Sequence, residues 1–248
     1  MKAMVLAAGQ GTRLHPLTEQ IPKALVPVAG RPMIEYSLLL LKRYGIRDII
    51  INLHHLGDQI ERYLGDGAQL GLQISYSKEP ELLDTGGGLL KAKPFFQGGP
   101  FIVINTDVLI DVSLSELIEF HTKKGAAASL VLRPDPLADQ YGSMEIDSDG
   151  RIHRFLQTRI ATELSAPTTK LMFTGVQVLE PRVFDYMEED GVRKFSTTKD
   201  TYPRMLLHQE KLFGFRFDGF WQDVGTASRI KGAEESLADG RARLHYLP

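Results

Sequence analysis

The chain opens with a short apolar run, residues 2–8, that stops at two closely spaced glycines, Gly9 and Gly11. A short apolar run bounded by glycine predicts a buried strand. Similar runs occupy residues 48–53 and 101–105, and segments with the apolar spacing of helices lie between them. Pro32 near its start and Gly45 just past its end predict one such helix over residues 31–44. Strands that alternate with helices predict an α/β fold. We therefore expect a Rossmann-like, open, mixed but mostly parallel sheet with helices on both faces.

The second half of the sequence has a different pattern. Residues 143–147 and 151–156 flank Asp149-Gly150, a dipeptide that favours a tight hairpin turn. Residues 160–170 are polar and rich in Thr, Ala and Pro, which predicts a mobile loop. No low-complexity linker and no internal repeat divides the sequence, so we expect a single domain, 1–248.

The loop after the first run has the chemistry of a phosphate site. Gly9 and Gly11 have no Cβ atoms, so their backbone N–H groups can approach an anion closely. Arg13 adds a planar guanidinium fork, and Lys23 adds a compact positive charge. A dinucleotide fingerprint would need a third glycine where Leu14 stands, and a Walker loop would need Gly-Lys-Ser/Thr, which is missing. By itself, the loop fits a surface glycine turn equally well.

Composition limits the possible partners. The net charge of −2 gives no general attraction for nucleic acid or an anionic membrane. The sequence has no cysteine, which excludes disulfides, thiol nucleophiles and cysteine metal sites. No apolar run approaches the roughly 18 residues that span a bilayer, and the first residues lack a signal-peptide pattern. We expect a cytoplasmic protein without nucleic-acid or membrane partners.

The wider pattern around the loop is more specific. The glycine loop is followed by Pro22-Lys23-x-Leu25-x-Pro27. Further motifs come in a fixed order: Thr85-Gly86-Gly87-Gly88, Asn105-Thr106-Asp107, Tyr141-Gly142, Phe173-Thr174-Gly175, Lys199-Asp200-x-Tyr202-Pro203 and Trp221-x-Asp223-Val224-Gly225-Thr226. Together they resemble the sugar-1-phosphate nucleotidylyltransferases over nearly the whole chain. The mannose-1-phosphate guanylyltransferases and the N-acetylmuramic acid 1-phosphate uridylyltransferases are the nearest comparisons.

The resemblance implies transfer of a nucleotidyl group from an NTP to a sugar 1-phosphate, which gives an NDP-sugar and pyrophosphate. Residues 1–125 would form the nucleotide-binding half and residues 126–248 the sugar-binding half. Arg13 would contact the triphosphate, and Lys23 would bridge the α-phosphate and the attacking phosphate; these two are the implied catalytic residues. Asp107 and Asp223 would hold Mg²⁺, whose preferred ligands are hard oxygens.

The resemblance also assigns binding residues. The implied nucleotide-binding set is Leu6, Ala7, Gly9, Gly11, Thr12, Arg13, Glu79, Thr85, Gly86 and Gly87. The implied sugar-binding set is Asp107, Gly142, Thr174, Gly175 and Asp200. Glu79 stands where pyrimidine-using relatives have a glutamine that reads the base, and a carboxylate there would accept hydrogen bonds from guanine or from uracil.

Three points stay open in the sequence. Residues 155–159 depart from the Glu-Lys-Pro of many relatives, so Arg154, Arg159 and Lys170 are all candidates for the cation that holds the sugar phosphate. GTP with mannose 1-phosphate and UTP with an N-acetylamino-sugar 1-phosphate are both candidate substrate pairs. The oligomeric state is also open.

Two other classes of protein compete with this interpretation. A glycosyltransferase of the GT-A type would normally carry a tight Asp-x-Asp, whereas Val108 and Leu109 follow Asp107. A non-catalytic regulatory relative would bind a sugar nucleotide without turnover.

His54-His55 lacks a clear third ligand, so we expect a solvated strand end there rather than zinc.

Overall fold

The computed structural model describes residues 1–136, 138, 143–159, 167–187 and 192–247. The chain divides into two compact units that alternate along the sequence. The first contains Met1–Leu82, Val103–Val112 and Gly219–Pro248, and the second contains Leu83–Ile102 and Ser113–Asp218. Residues 83–102 and 113–125, which belong to the predicted nucleotide half, therefore lie in the second unit.

In chain order, the strands are β1 Lys2–Leu6, β2 Pro27–Val28, β3 Arg31–Pro32, β4 Asp48–Leu53, β5 Gln73–Lys78, β6 Phe101–Asn105, β7 Val108–Ile110, β8 Ala128–Arg133, β9 Ser143–Ile146, β10 Ile152–Phe155, β11 Thr158–Arg159, β12 Thr169–Leu179, β13 Leu212–Arg216 and β14 Trp221–Asp223. The α-helices are α1 Met33–Arg43, α2 Gly57–Leu64, α3 Asp84–Lys91, α4 Leu114–Lys124, α5 Tyr202–Leu207 and α6 Ala227–Ala238. Short 3₁₀ turns include Thr12–Leu14, Leu17–Glu19 and Lys23–Leu25.

The first unit is built on a parallel sheet. Its strands lie in the order β6-β1-β4-β5, of which β6 belongs to this unit from Val103 onward, and β4 pairs in parallel with both β1 and β5. Strands β1, β4 and β6 are mostly apolar and almost wholly buried, as expected for a sheet covered on both faces, whereas β5 is more polar and only partly buried. Because the strands run the same way, the loops that follow them collect at one edge of the sheet, where open α/β folds bind their ligands.

The second unit is built on a mixed sheet in the order β11-β10-β9-β12-β8-β13. Only the β8/β13 pair is parallel among the pairings given for these strands. Strands β9 and β10 form the hairpin predicted around Asp149-Gly150. The predicted class, an open α/β fold with a mixed sheet and packed helices, is confirmed.

Two local predictions need correction. The helix expected over residues 31–44 begins at Met33, because Arg31 and Pro32 pair with Val28 and Pro27 as a small antiparallel ladder. The predicted loop at residues 160–170 lies in part outside the described residues. Its last two residues, Thr169 and Lys170, already belong to β12.

In the part of the chain that the structure describes, every helix is too short or too polar to cross a membrane.

Candidate active site

Three predicted site residues follow parallel strands of the first unit. Ala7 comes directly after β1, Glu79 after β5, and Asp107 two residues after β6. The carboxyl ends of β1, β5 and β6 therefore bring together residues that are far apart in sequence. Thr106 strengthens this edge, since its backbone N–H and its hydroxyl both donate to the carbonyl oxygen of Leu6.

The two predicted catalytic cations lie beside one carboxylate of this edge. Lys23 Nζ is 2.5 Å from Asp107 Oδ2, and Arg13 Nη2 is 3.8 Å from the same oxygen. The Lys23 side chain is 15% exposed and that of Arg13 is 52% exposed. Lys23 is thus held close to Asp107, while the Arg13 guanidinium remains accessible to a charged ligand.

Gly11 sets the path of the loop between these residues. Its φ of +68° is in the left-handed region that favours glycine. A Cβ atom there would lie 2.9 Å from Thr18 Cγ2 and 3.0 Å from Lys23 Cβ. Thr18 also donates its hydroxyl to the Gly11 carbonyl, at 2.8 Å. The glycine therefore lets the loop pack directly against the turns that carry Thr18 and Lys23. Thr12, the next residue, begins a separate 3₁₀ turn, Thr12–Leu14.

Gly9 has no such packing reason. Its φ is not in the left-handed region, and an added Cβ would meet no described atom within 4 Å. The space beside this residue is open, as the prediction of a close backbone approach to an anion requires.

Strand pairing places the second predicted metal ligand, Asp223, close in the fold to the first, Asp107. Strand β14 pairs with β7 so that Asp223 stands opposite Val108, and the Val224 N–H donates to the Asp107 carbonyl at 2.9 Å. Asp223 Oδ1 accepts a hydrogen bond from Gly225 N at 2.7 Å and forms an ion pair with Arg229 Nη1 at 3.0 Å. Both contacts are made by the same oxygen, Oδ1, and they fix the direction of this carboxylate.

Arg13 packs over the same turn. A Cβ atom on Gly225 would lie 2.5 Å from Arg13 Nη2 and 3.0 Å from Asp223 Oδ1. Glycine at this position therefore leaves the space that the guanidinium occupies. The first unit thus brings together Arg13, Lys23, Asp107 and Asp223, which the sequence placed in one site.

The donor set fits a magnesium ion. Asp107 and Asp223 supply hard carboxylate oxygens, and their side chains are 24% and 21% exposed. No group of three His, Cys, Asp or Glu residues that could hold a metal occurs among the described residues. Magnesium commonly takes one or two carboxylates and completes its shell with waters and substrate phosphates, so two carboxylates suffice.

A buried polar relay that no sequence motif marks supports the start of the glycine loop. Asn52 Oδ1 accepts a hydrogen bond from Ala7 N at 2.8 Å, and Asn52 Nδ2 donates to Glu79 Oε1, also at 2.8 Å. Asn52 is 3% exposed and Glu79 is 4% exposed. The relay fixes the amide orientation of Asn52 and satisfies the Ala7 N–H. The available signal was a single asparagine within the apolar run of residues 49–53, in β4.

The predicted base-side residues Thr85, Gly86 and Gly87 begin helix α3 in the second unit. Phe195 O accepts hydrogen bonds from the N–H groups of Gly86, at 2.9 Å, and Gly87, at 3.3 Å. Thr85 Oγ1 accepts from Thr197 N at 3.0 Å. The start of this helix is thus bonded to the segment that precedes Asp200.

The absence of side chains on these glycines has a packing reason. A Cβ on Gly86 would lie 2.3 Å from two ring carbons of Phe195, and one on Gly87 would lie 2.0 Å from the Arg193 carbonyl oxygen. Only glycine allows the segment to lie this close. The predicted contact of Gly86 and Gly87 with the nucleotide stays a prediction.

The predicted sugar-side residues are placed as follows. Thr174 is buried and its hydroxyl donates to the Val131 carbonyl at 2.9 Å, while Gly175 has a φ of +90°. Asp200 is exposed and its Oδ2 accepts from Ser196 N at 2.8 Å. Gly142 lies outside the described residues. The sugar contacts of this set stay predictions.

His54 and His55 have structural partners. His54 Nδ1 lies 2.9 Å from the Glu79 carbonyl and His55 Nε2 lies 2.9 Å from the Thr18 carbonyl. Because a carbonyl oxygen only accepts, both ring nitrogens donate. These histidines therefore hold the site loops to the strand end, instead of standing in solvent as the sequence suggested.

An open α/β fold with a glycine loop, basic side chains and paired carboxylates at the carboxyl edge of its parallel strands is typical of nucleotide-handling proteins. The chain belongs to the nucleotidyl transferase family, whose model matches residues 2–240. Membership of this family confirms the resemblance that the sequence motifs predicted.

Three relatives show how far the similarity extends. The N-acetylmuramate alpha-1-phosphate uridylyltransferase of Neisseria meningitidis is 37% identical, and the match covers 94% of this chain and 97% of that protein. The UTP–glucose-1-phosphate uridylyltransferase of Synechocystis is 34% identical (91% of this chain, 60% of that protein). The mannose-1-phosphate guanylyltransferase of Mycobacterium tuberculosis is 32% identical (97% of this chain, 65% of that protein). The chain thus spans less than two thirds of the length of the last two.

The fold also matches solved structures. HddC from Yersinia pseudotuberculosis, solved in complex with GMP-PN, superposes with a TM-score of 0.76 at 24% identity. The match covers 95% of this chain and 99% of HddC.

Proposed function

We propose that this protein transfers a nucleotidyl group from an NTP to a sugar 1-phosphate, releasing pyrophosphate. The observation that supports this proposal best is the cluster in which Lys23 and Arg13 flank Asp107. Asp107 directly precedes β7, which pairs with the strand of Asp223. The three relatives described above are named as uridylyl- or guanylyltransferases that act on sugar 1-phosphates, and this supports the same class of reaction here.

The residues suit a reaction between two anions. The attacking group is a phosphate monoester, whose second pKa is about 6, so it is largely ionised at neutral pH without a general base. Positioning and charge stabilisation then supply most of the catalysis. Lys23, held in place by Asp107, stabilises charge at the α-phosphate, and the exposed Arg13 fork binds the leaving pyrophosphate bidentately. No nucleophilic side chain is required.

Magnesium is the metal we propose for Asp107 and Asp223. When bound, it would act as a Lewis acid that neutralises phosphate charge and orients the triphosphate. Gly225 and Arg229 keep Asp223 oriented, and Lys23 and Arg13 keep Asp107 oriented. These contacts fix the direction of both carboxylates independently of the metal.

The substrates we favour are UTP and an N-acetylamino-sugar 1-phosphate. The uridylyltransferase that acts on N-acetylmuramate 1-phosphate has the highest identity of the three relatives and matches this chain over nearly its full length. Asp84, which precedes the triple glycine, is a further point of similarity with that group in the sequence. GTP with mannose 1-phosphate is the second candidate pair, supported by the guanylyltransferase relative.

The test is a pyrophosphate-release assay over a grid of four NTPs and several sugar 1-phosphates with Mg²⁺. We expect turnover with UTP and an N-acetylamino-sugar 1-phosphate. Turnover confined to GTP and mannose 1-phosphate would replace the proposed substrates but keep the reaction. If no combination of NTP and sugar 1-phosphate gives turnover but the protein binds a sugar nucleotide, the result would favour a non-catalytic regulatory protein. Sugar transfer from an NDP-sugar would favour the glycosyltransferase.

A further inference from the structure

Both proposed metal ligands are ion-paired with cations of the chain itself. Asp107 Oδ2 accepts a hydrogen bond from Lys23 Nζ at 2.5 Å, and Asp223 Oδ1 lies 3.0 Å from Arg229 Nη1. The four side chains are between 15% and 28% exposed, so solvent screens these pairs less than it screens pairs on the open surface. The negative charge that would attract a divalent cation is thus partly neutralised by the protein.

The two cations differ in how firmly they are held. Arg229 lies in the first turn of α6, where its backbone N–H donates to Thr226 Oγ1 at 3.4 Å, and its partner oxygen also accepts from Gly225 N. Lys23 has a flexible four-carbon stem and one compact ammonium. Among the described residues, Asp107 is the one that accepts a hydrogen bond from that ammonium. Lys23 can therefore exchange one anionic partner for another, whereas Arg229 pairs within a hydrogen-bonded turn.

A divalent cation and the Lys23 ammonium compete for Asp107. The same carboxylate attracts both, and like charges that share one carboxylate repel each other. Arg13 Nη2, 3.8 Å from the same Oδ2, adds to this repulsion. A carboxylate that already lies beside two cations of the chain is therefore a weak site for a metal ion that arrives alone.

A triphosphate removes this competition. Its phosphate oxygens are ionised at neutral pH and offer the Lys23 ammonium a new partner. The Arg13 guanidinium, which is 52% exposed, can pair with the same group. When both cations pair with phosphate, the charge of Asp107 becomes available, and phosphate oxygens also belong to the usual ligand shell of magnesium.

We propose that Lys23 is a counter-ion that is exchanged when the nucleotide binds. In the free protein it neutralises Asp107, and with the triphosphate bound its ammonium pairs with phosphate and leaves Asp107 to the metal. The protein therefore binds a divalent cation weakly by itself and takes it up together with the triphosphate. The proposal rests on the proposed function, which supplies the NTP, and adds to it that the metal does not bind before the nucleotide.

The first experiment measures metal binding without nucleotide by electron paramagnetic resonance. Its probe is Mn²⁺, which is paramagnetic and takes oxygen ligands as magnesium does. Lys23→Met removes the charge and keeps the length of the side chain. It should tighten Mn²⁺ binding about ten-fold or more, the size of effect that one neighbouring charge has on proton binding. A lysine that only oriented Asp107 for the metal would give the opposite sign.

A second variant separates the charge of Lys23 from its hydrogen bond. Lys23→Gln has no charge but keeps an N–H donor for Asp107. It should also tighten Mn²⁺ binding, because the charge is what competes with the metal. Thermal unfolding reports whether each variant is folded, and the glutamine variant keeps the test open if the methionine variant is not.

Lys78→Met is the matched control. Lys78 belongs to the same unit and pairs with Glu61 at 2.6 Å, but its side chain is 59% exposed. Its loss should leave Mn²⁺ binding as in wild type. Asp107→Asn tests the route of the effect, because in that background Lys23→Met should no longer tighten binding. An undiminished gain in that background would overturn exchange at Asp107.

The second experiment measures nucleotide binding without metal. Titration calorimetry with UTP, and separately with GTP, is run in excess EDTA. Lys23→Met should weaken binding about ten-fold or more, because the ammonium that pairs with phosphate is lost. The exchange thus has effects of opposite sign, since one substitution tightens Mn²⁺ binding and loosens binding of the metal-free nucleotide.

Two results would overturn the proposal. One is Mn²⁺ binding in both Lys23→Met and Lys23→Gln that is no tighter than in wild type. The other is metal-free nucleotide binding in Lys23→Met that equals that of wild type. Failure of the proposed function is distinct, since it leaves wild type without turnover, whereas the Mn²⁺ titrations need neither a nucleotide nor turnover.

Discussion

Lys23 Nζ lies 2.5 Å from Asp107 Oδ2, although the two residues are 84 positions apart in the sequence. Lys23 reaches this position from a 3₁₀ turn that follows Pro22, and Asp107 reaches it from the end of a buried strand. The carboxylate that we propose as a metal ligand is therefore also the group that orients the proposed catalytic lysine. Substitutions at these two residues should have different consequences.

Lys23→Ala should lower kcat about 10²- to 10³-fold, the usual cost of removing one preorganised charge-stabilising donor. The preference among NTPs should not change, because the lysine lies at the phosphates in the proposed arrangement. Steady-state kinetics with each active NTP measure both quantities. Lys78→Ala removes an exposed lysine that pairs with Glu61 at 2.6 Å and is the control. A wild-type kcat in Lys23→Ala would remove the lysine from the mechanism.

Asp223→Asn should lower Mg²⁺-dependent pyrophosphate release about 10²-fold or more, since a metal that supplies several kcal/mol would lose a charged ligand. The fold should survive, because an asparagine oxygen can still accept from Gly225 N and contact Arg229. Circular dichroism and a magnesium titration of the rate are the measurements. Asp239→Asn changes an exposed aspartate paired with Arg241 and serves as the control. Wild-type turnover with an unchanged magnesium requirement would argue against Asp223 as a ligand.

The buried strands of the first unit were predictable because each one is a short run of apolar residues in the sequence. The apolar runs at residues 48–53 and 101–105 became β4 and β6 with those bounds. The start of α1 was not predictable in the same way. Arg31 and Pro32 join a ladder with Pro27 and Val28, and this pairing depends on the turn at Ala29 and Gly30, whose φ angles are both positive.

The site was predictable as a set of residue types, but its internal contacts were not. Asn52 connects Ala7 and Glu79 over separations of 45 and 27 residues, and no local pattern marks that pairing. Arg154 and Arg159 were singled out, with Lys170, as phosphate candidates, whereas Glu145, which pairs with Arg154 at 3.0 Å and with Arg159 at 3.2 Å, was not. These ion pairs depend on strand register, which only the folded sheet supplies.

Asn52→Ala should destabilise the protein by about 1–3 kcal/mol, because it leaves the buried Ala7 N–H without its acceptor. It should also raise the KM of every NTP several-fold, since the glycine loop begins at Ala7. Urea unfolding and kinetics with each NTP are the measurements. An effect confined to one nucleobase would contradict the assignment of Asn52 to the loop.

Glu79→Gln is the matched control for this relay. Glutamine keeps an oxygen that can accept from Asn52 Nδ2, so stability should stay close to that of wild type. If Glu79 also reads the base, as the sequence predicts, the preference among NTPs should change, because an amide both donates and accepts. An unchanged preference would limit Glu79 to supporting Asn52.

Gly87→Ala should cost about 1–3 kcal/mol of unfolding free energy or more, the cost of overpacking a close contact. The added Cβ would lie 2.0 Å from the Arg193 carbonyl oxygen, and a backbone atom cannot rotate away. Gly232 of helix α6 is the control, because a Cβ there meets nothing within 4 Å. Gly232→Ala should instead stabilise the protein by about 0.5–1 kcal/mol. Chemical unfolding of both variants checks the contrast, and equal stability of Gly87→Ala and wild type would contradict it.

His121 should make the protein less stable in mild acid. Burial lowers its pKa below the ordinary value of 6.5, against the opposing effect of a hydrogen bond to Glu180, and its Nδ1 lies 2.9 Å from Ser129 Oγ. As the pH falls below about 6.5, the unfolded chain binds a proton at this residue before the folded chain does, so unfolding is favoured. The slope from one histidine is at most about 1.4 kcal/mol per pH unit, and it vanishes above the unfolded pKa. The measurement is urea unfolding of wild type and His121→Gln between about pH 5 and pH 8, a range that spans the unfolded pKa of about 6.5. Below that pKa, the unfolding free energy of the variant should fall less steeply with decreasing pH than that of wild type. Parallel slopes would mean that other groups cause the acid sensitivity.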